Sequence, residues 1–218
     1  MLPLPLPDTV PSGIRVWQVP LHLAQPIPTA DWAVLSAGER RRALRFRHNA
    51  DRCRAVRGRA ALRRLLAEAC PGSRPDCLRI DTLPQGKPVL REPGAPEFNV
   101  SHAGDILLIA LSWHGPVGVD VEGQVSQDAE RALAAQVYSP AEQAAIDALC
   151  FTERWVVKEA LLKARGEGLH GELPAWSVLA RDGHAYRITP PAQENAPRAW
   201  RLPSPDGYHA ALAWQAQG

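Results

Sequence analysis

β-branched and aromatic residues concentrate in Ile14–Leu21, which predicts a strand. Ser36-Ala-Gly-Glu39 then has the pattern of a capping box and predicts a helix start. Between Arg40 and Arg64, eleven arginines alternate with apolar positions at Phe46, Val56, Ala60, Leu62, Leu65 and Leu66. This predicts two helices, broken near His48–Asp51, the second ending before Pro71-Gly72. Leu78–Leu83 and Pro88–Leu90 flank Pro84-Gln-Gly-Lys87, a hairpin-like turn. Phe98–Ser101, Ile106–Trp113 and Val117–Glu122 predict three successive strands joined by Gly-containing turns. Helices are expected over 126–137, 140–149 and 151–165, with Ser139-Pro140-Ala-Glu142 as a strong helix start. The tail predicts two hairpins, Trp176–Ala180 with Ala185–Thr189 and Trp200–Pro203 with Tyr208–Trp214. Helices plus a small antiparallel sheet in each half make an α+β fold of two lobes.

The chain has 218 residues, 45% of them hydrophobic, enough for a sizeable core. The longest apolar run, Ile106–Leu111, is too short to span a bilayer, so an integral membrane protein is not expected. The Leu-Pro alternation of Met1–Pro7 reads as a floppy leader and not as a signal peptide. Cys53, Cys70, Cys77 and Cys150 lack CxxC spacing and are expected to be free thiols of a cytoplasmic protein.

Charge is split along the chain. Residues 1–113 carry 16 basic and 10 acidic side chains, net +6; residues 114–218 carry 9 and 13, net −4. A basic half beside an acidic half suits an anionic ligand on one side and a cation on the other, although unrelated surface charge would give the same totals. Only Lys87, Lys158 and Lys163 are lysines among 25 basic residues. A lysine is a compact point charge, useful beside phosphate where a planar guanidinium does not fit.

Three segments could carry chemistry. In Gly118-Val-Asp120-Val-Glu122 the carboxylates lie two apart and share one strand face. Adjacent carboxylates repel unless a cation separates them, and hard oxygen ligands suit magnesium; a solvated strand face would look the same. In Trp155-x-x-Lys158-Glu159-Ala160-x-x-Lys163 the spacing of four aligns Trp155, Glu159 and Lys163 along a helix. Glu159 could be a third metal carboxylate and Lys163 a phosphate contact, or the two could be a surface ion pair. Phe98-Asn-Val-Ser101-His102 runs into a turn whose hydroxyl, imidazole and N–H groups could hold phosphate, or could be an ordinary turn.

Taken in order with Gly86-Lys87-Pro88, these segments resemble the 4'-phosphopantetheinyl transferase superfamily, in its larger surfactin-type branch. The resemblance covers roughly residues 36–190. It implies two similar α+β lobes in a pseudo-twofold arrangement, with a basic lobe at 1–113 on the 3'-phosphate side and a metal-carboxylate lobe at 114–218. It also implies a monomer that moves the phosphopantetheine arm of coenzyme A onto a serine of an apo acyl or peptidyl carrier protein. Carriers of fatty-acid, polyketide and nonribosomal peptide synthesis all remain open.

Position by position, the resemblance makes Asp120, Glu122 and Glu159 magnesium ligands, and Lys163 a pyrophosphate contact. Lys87, Ser101 and His102 would surround the 3'-phosphoadenosine end, with Arg41, Arg42 and Arg54 as further basic contacts. Glu39 stands where some relatives have a basic residue. Glu142 matches a glutamate assigned as general base for the carrier serine, and is equally the third residue of a capping box. Val125, Leu133, Val137 and Tyr138 could dock a carrier helix or pack the core. Two other readings use the same residues: a magnesium phosphohydrolase, and an arginine-rich nucleic-acid-binding module.

Overall fold

The computed structural model describes residues 1–83, 86–145, 148–166, 172–189 and 197–216. Two antiparallel sheets and two long helices form four layers. The first sheet contains β1 (Leu2–Pro3), β2 (Ile14–Pro20), β5 (Glu97–Ala103) and β6 (Ile106–Ser112), in the order β1-β2-β6-β5. Short helices α1 (Thr29–Ala33) and α2 (Ala37–Leu44) lead into α3 (Asn49–Ala69), and β3 (Ile80–Thr82) pairs with β4 (Pro88–Leu90).

The second sheet contains β7 (Val117–Gly123), β8 (Ser177–Asp182), β9 (Ala185–Thr189), β10 (Arg198–Arg201) and β11 (Tyr208–Trp214), in the order β7-β11-β10-β9-β8. Its helices are α4 (Gln127–Val137), α5 (Pro140–Gln143) and α6 (Phe151–Arg165).

Strand β6 shows why the layers stack. All seven of its residues are buried, because each face meets a different layer. Leu107, Ile109 and Leu111 pack with Leu62, Leu65 and Leu66 of α3. Ile106, Leu108 and Ala110 pack with Val119, Val121 and Leu212 of the second sheet. Strand β7 repeats the device in reverse. Its valines enter the core between the sheets, and its other face meets α6, whose Val157, Ala160 and Leu161 pack with Ala211 and Ala213. Gly118 permits that approach, since a Cβ there would run into the carbonyl oxygen of Ala160. Val121, Asp120 and Val119 of β7 pair with Ala210, Ala211 and Leu212 of β11.

The structure corrects several expectations. The leader is not floppy: Leu2 and Pro3 pair with Gln18 and Trp17, the Leu4 N–H donates to the Val16 carbonyl, and Leu4 and Leu6 pack on the core between the sheets. Proline is tolerated there because β1 is an edge strand. The helix expected over 140–149 stops at Gln143, with Ile146 and Asp147 outside the described residues. Pro84 and Gln85 of the expected hairpin turn also lie outside the described residues. The two tail hairpins do form as expected, β8 with β9 and β10 with β11, and their four strands join β7 in one sheet. No helix among the described residues is long and apolar enough to cross a membrane.

Candidate active site

Strands β5 and β7 meet at the junction of the two sheets, where the Val119 N–H donates to Asn99 Oδ1 at 3.0 Å. The next residue of β7, Asp120, is 2% exposed. Its Oδ1 accepts hydrogen bonds from Ser101 Oγ at 2.7 Å and from Lys163 Nζ at 2.6 Å. Lys163 Nζ also donates to Ser101 Oγ at 3.1 Å. Asp120 Oδ2 is buried without a hydrogen-bond partner. A buried carboxylate oxygen without a partner costs stability, so the orphan points to a group that binds there.

Glu122 and Glu159 flank Asp120 electrostatically. Burial and the neighbouring charge of Asp120 push the Glu122 carboxyl up to about 7, against relief from Lys163. Burial and Asp120 also raise Glu159. Two carboxyls of raised pKa beside a third carboxylate with an orphaned oxygen fit a hard divalent cation. Their oxygens do not all lie within 4.8 Å of one another; among the described residues the one such acidic, cysteine or histidine trio is Cys150, Glu153 and His209. Lys163 is therefore the charge that balances Asp120 here.

Ser101 and His102 were expected to act together, but they project from opposite faces of β5. Ser101 joins Asp120 and Lys163. His102 lies with Arg54, Arg59, Phe46, Gly58 and Pro88 around a pocket of about 340 Å³ on the α3 side. Burial and the nearby Arg54 charge lower the His102 pKa. Gly58 keeps this region tight, since a Cβ there would sit 2.5 Å from Leu107 Cδ1. Arg54 is held by Asp51 at 2.8 Å and by the Gly104 carbonyl at 3.0 Å. Lys87 does not line this pocket; its side chain is 13% exposed and lies 3.5 Å from Glu97.

Arg41 and Arg42 are exposed on α2, where both line an open groove with Arg45 and Ile80. Arg42 also shares a second depression with Phe46, Ala55 and Arg59. Sequence reasoning missed Arg59, whose NH1 is buried without a hydrogen-bond partner beside this depression. It is one arginine among eleven, and only the Gly58 next to it marked a close helix–sheet approach. Glu39 is not a free acidic residue facing the groove. It caps α2 with Ser36 and pairs with Arg63 at 2.8 Å and Arg59 at 3.3 Å, which outweigh burial and lower its pKa. Arg40, Arg52, Arg57, Arg63 and Arg64 all donate to main-chain carbonyls. The arginine-rich helices thus use much of their charge to fasten loops, which weakens the nucleic-acid reading.

Glu142 requires a correction. It is 0% exposed. Oε2 accepts from the Ser139 N–H at 2.7 Å and from Lys158 Nζ at 2.5 Å, and Oε1 accepts from the Val178 N–H at 2.8 Å. Lys158 is also 0% exposed and its ammonium is held by the Val137 carbonyl as well. A carboxylate with no exposed surface and three donors on it is a structural anchor, and it cannot meet a serine carried by another protein. Val137 and Tyr138 are likewise core residues, packed on Phe151, and are not free to dock a carrier.

Comparison with known proteins agrees with this geometry. Residues 116–213 match the 4'-phosphopantetheinyl transferase superfamily, and residues 28–114 match the 4'-phosphopantetheinyl transferase N-terminal family. The transferase HetI of Nostoc is 30% identical, over 87% of this chain and 81% of its own. A 4'-phosphopantetheinyl transferase of Bacillus subtilis is 30% identical, over 74% of each chain. A Synechocystis protein named provisionally for the same activity is 33% identical, over 92% of this chain and 86% of its own. With both halves matched in order and the Asp120, Glu159 and Lys163 segments in place, the chain belongs to the 4'-phosphopantetheinyl transferase superfamily, in its surfactin-type branch.

Proposed function

We propose that this enzyme transfers the 4'-phosphopantetheine arm of coenzyme A to a serine of an apo acyl or peptidyl carrier protein, releasing 3',5'-ADP, with magnesium required. The observation that carries this reading is the buried, unpartnered Oδ2 of Asp120 beside Lys163 and two carboxylates of raised pKa. Asp120, Glu122 and Glu159 would hold the ion. When bound, magnesium supplies charge neutralisation for the pyrophosphate and its leaving group.

The protein's own groups divide the remaining work. Lys163 rests on Asp120 and Ser101 and is 26% exposed, so its ammonium can turn to a phosphate oxygen as charge builds there. Arg42, Arg54, Arg59 and His102 surround the pockets of the first lobe, which we assign to the 3'-phosphoadenosine end of coenzyme A. Arg41, in the open groove with Arg42, and Lys87, next to Pro88 of the His102 pocket, would add charge at the margin of that region. In this division residues 1–113 grip the nucleotide and residues 114–218 carry the reacting pyrophosphate. With Glu142 set aside, the serine proton passes to solvent or to an ionised carboxylate at the metal site, for which Glu159 on α6 is the candidate.

The test is 3',5'-ADP release from coenzyme A, followed by chromatography with and without apo carrier. The proposal expects release only with carrier and magnesium. Equal release without carrier would favour the phosphohydrolase instead.

A further inference from the structure

Outside the active site, Cys150, Glu153 and His209 bring a thiol, a carboxylate and an imidazole within 4.8 Å of one another. We propose that they form a second cation site, selective for a borderline-soft divalent ion of the zinc class.

The distances support this. A tetrahedral ion bound at about 2.0–2.3 Å separates its ligand atoms by roughly 3.3–3.8 Å. Cys150 Sγ and His209 Nε2 already lie 3.6 Å apart. Glu153 is fixed by its neighbours: its Oε1 accepts from Arg181 Nε at 3.1 Å and from the Tyr186 hydroxyl at 2.9 Å. Such outer contacts orient a ligating carboxylate, and its Oε2 accepts no hydrogen bond among the described residues. Gln124 Oε1, 2.8 Å from His209 Nε2, or a water can complete the fourth position. The thiolate and Glu153, which also pairs with Arg181, offset the charge of the ion in part, and the thiol proton leaves to solvent on binding.

The local sequence is unusual for a helix start. Ser36, Ser126 and Ser139 each cap their helices with the side chain. Cys150, at the same position of α6, offers only a thiol, a weak acceptor toward the Thr152 and Glu153 N–H groups that forms no side-chain capping hydrogen bond of the serine kind. A serine would serve the helix better there, so the thiol is not explained by helix stability. His209 pairs with Glu122 across β7 and β11. Opposed residues share a sheet face, so the second ion would sit toward the start of α6, on the face that carries the active-site carboxylates. Sulfur and nitrogen ligands distinguish it from the all-oxygen magnesium site.

Cobalt(II) is the probe. Chelator-treated protein titrated with one equivalent should show thiolate-to-cobalt charge-transfer absorption in the near ultraviolet. The band should saturate at one ion per chain, be displaced by zinc and resist excess magnesium. Cys150→Ser should abolish it while keeping a folded protein, because serine is a better cap. His209→Ala should weaken binding at least ~10-fold. Cys77→Ser and Asp120→Asn should leave the band intact. Absence of the band in the parent, its persistence in Cys150→Ser, or its loss in Asp120→Asn would each overturn the assignment.

Discussion

Replacing Glu142 by Gln separates a structural carboxylate from a catalytic one. The groups facing it are all donors: the Ser139 and Val178 N–H groups, the Lys158 ammonium and, at 4.0 Å, the buried Arg154 guanidinium. Glutamine offers only one acceptor oxygen, so whichever way its amide is turned an NH₂ faces a donor. Lys158, fully buried, also loses its counter-charge, and its remaining acceptor is the Val137 carbonyl. Breaking a buried ion pair from one side costs about 3–5 kcal/mol. At about 2–4 °C per kcal/mol for a chain of this size, the melting temperature should fall by about 6–20 °C. Turnover per folded molecule, measured well below the transition, should stay close to that of the parent. Adding Lys158→Met should recover part of the loss, with a coupling of at least ~1 kcal/mol, because the stranded ammonium is removed. A melt within about 2 °C of the parent, combined with a 10²–10⁴-fold fall in kcat, would refute the reasoning and restore a general base.

Three further outcomes follow from the site. Lys163→Ala should mainly lower kcat for carrier modification, whereas Arg42→Ala or Arg59→Gln should mainly raise the coenzyme A KM; steady-state kinetics on both sets would show equal effects if the division between lobes were wrong. The folded metal-free protein holds the Glu122 proton up to about 7, against 4.5 for an ordinary glutamate. It binds that proton more tightly than the unfolded chain does, so metal-free stability should fall as pH rises from about 4.5 to 7. Magnesium should flatten that fall in thermal melts, and a pH-independent melt would contradict the charge crowding. Gly118→Ala should destabilise strongly by pushing β7 off α6, read as a lowered melt with loss of magnesium-dependent stabilisation.

Much of the architecture was legible because local chemistry and tertiary packing agree. The two capping boxes, Ser36/Glu39 and Ser139/Glu142, form as their sequences indicate. Asp120 and Glu122 do share a strand face opposite Val119 and Val121, as period-two patterning requires. Other features depend on contacts that the pattern does not encode. Ser101 and His102 are adjacent in sequence, yet the pleat sends them to different sites, one toward Lys163 and one toward Arg54. The Leu-Pro leader is ordered by an edge of β2 that no local propensity reveals. Glu142 could not be assigned from its spacing alone, since the burial of Lys158 decides its role. Arg59 is one of eleven arginines between Arg40 and Arg64, and its role shows only in the depression it shares with Arg42, Phe46 and Ala55.

The central claim is most directly tested by intact mass spectrometry of an apo carrier protein incubated with coenzyme A and this enzyme. The account predicts a gain of one phosphopantetheine per carrier, only when magnesium is present, and a fall in rate of at least ~10²-fold in folded Asp120→Asn. Modification that persists in chelator, or at the parent rate in Asp120→Asn, would contradict it.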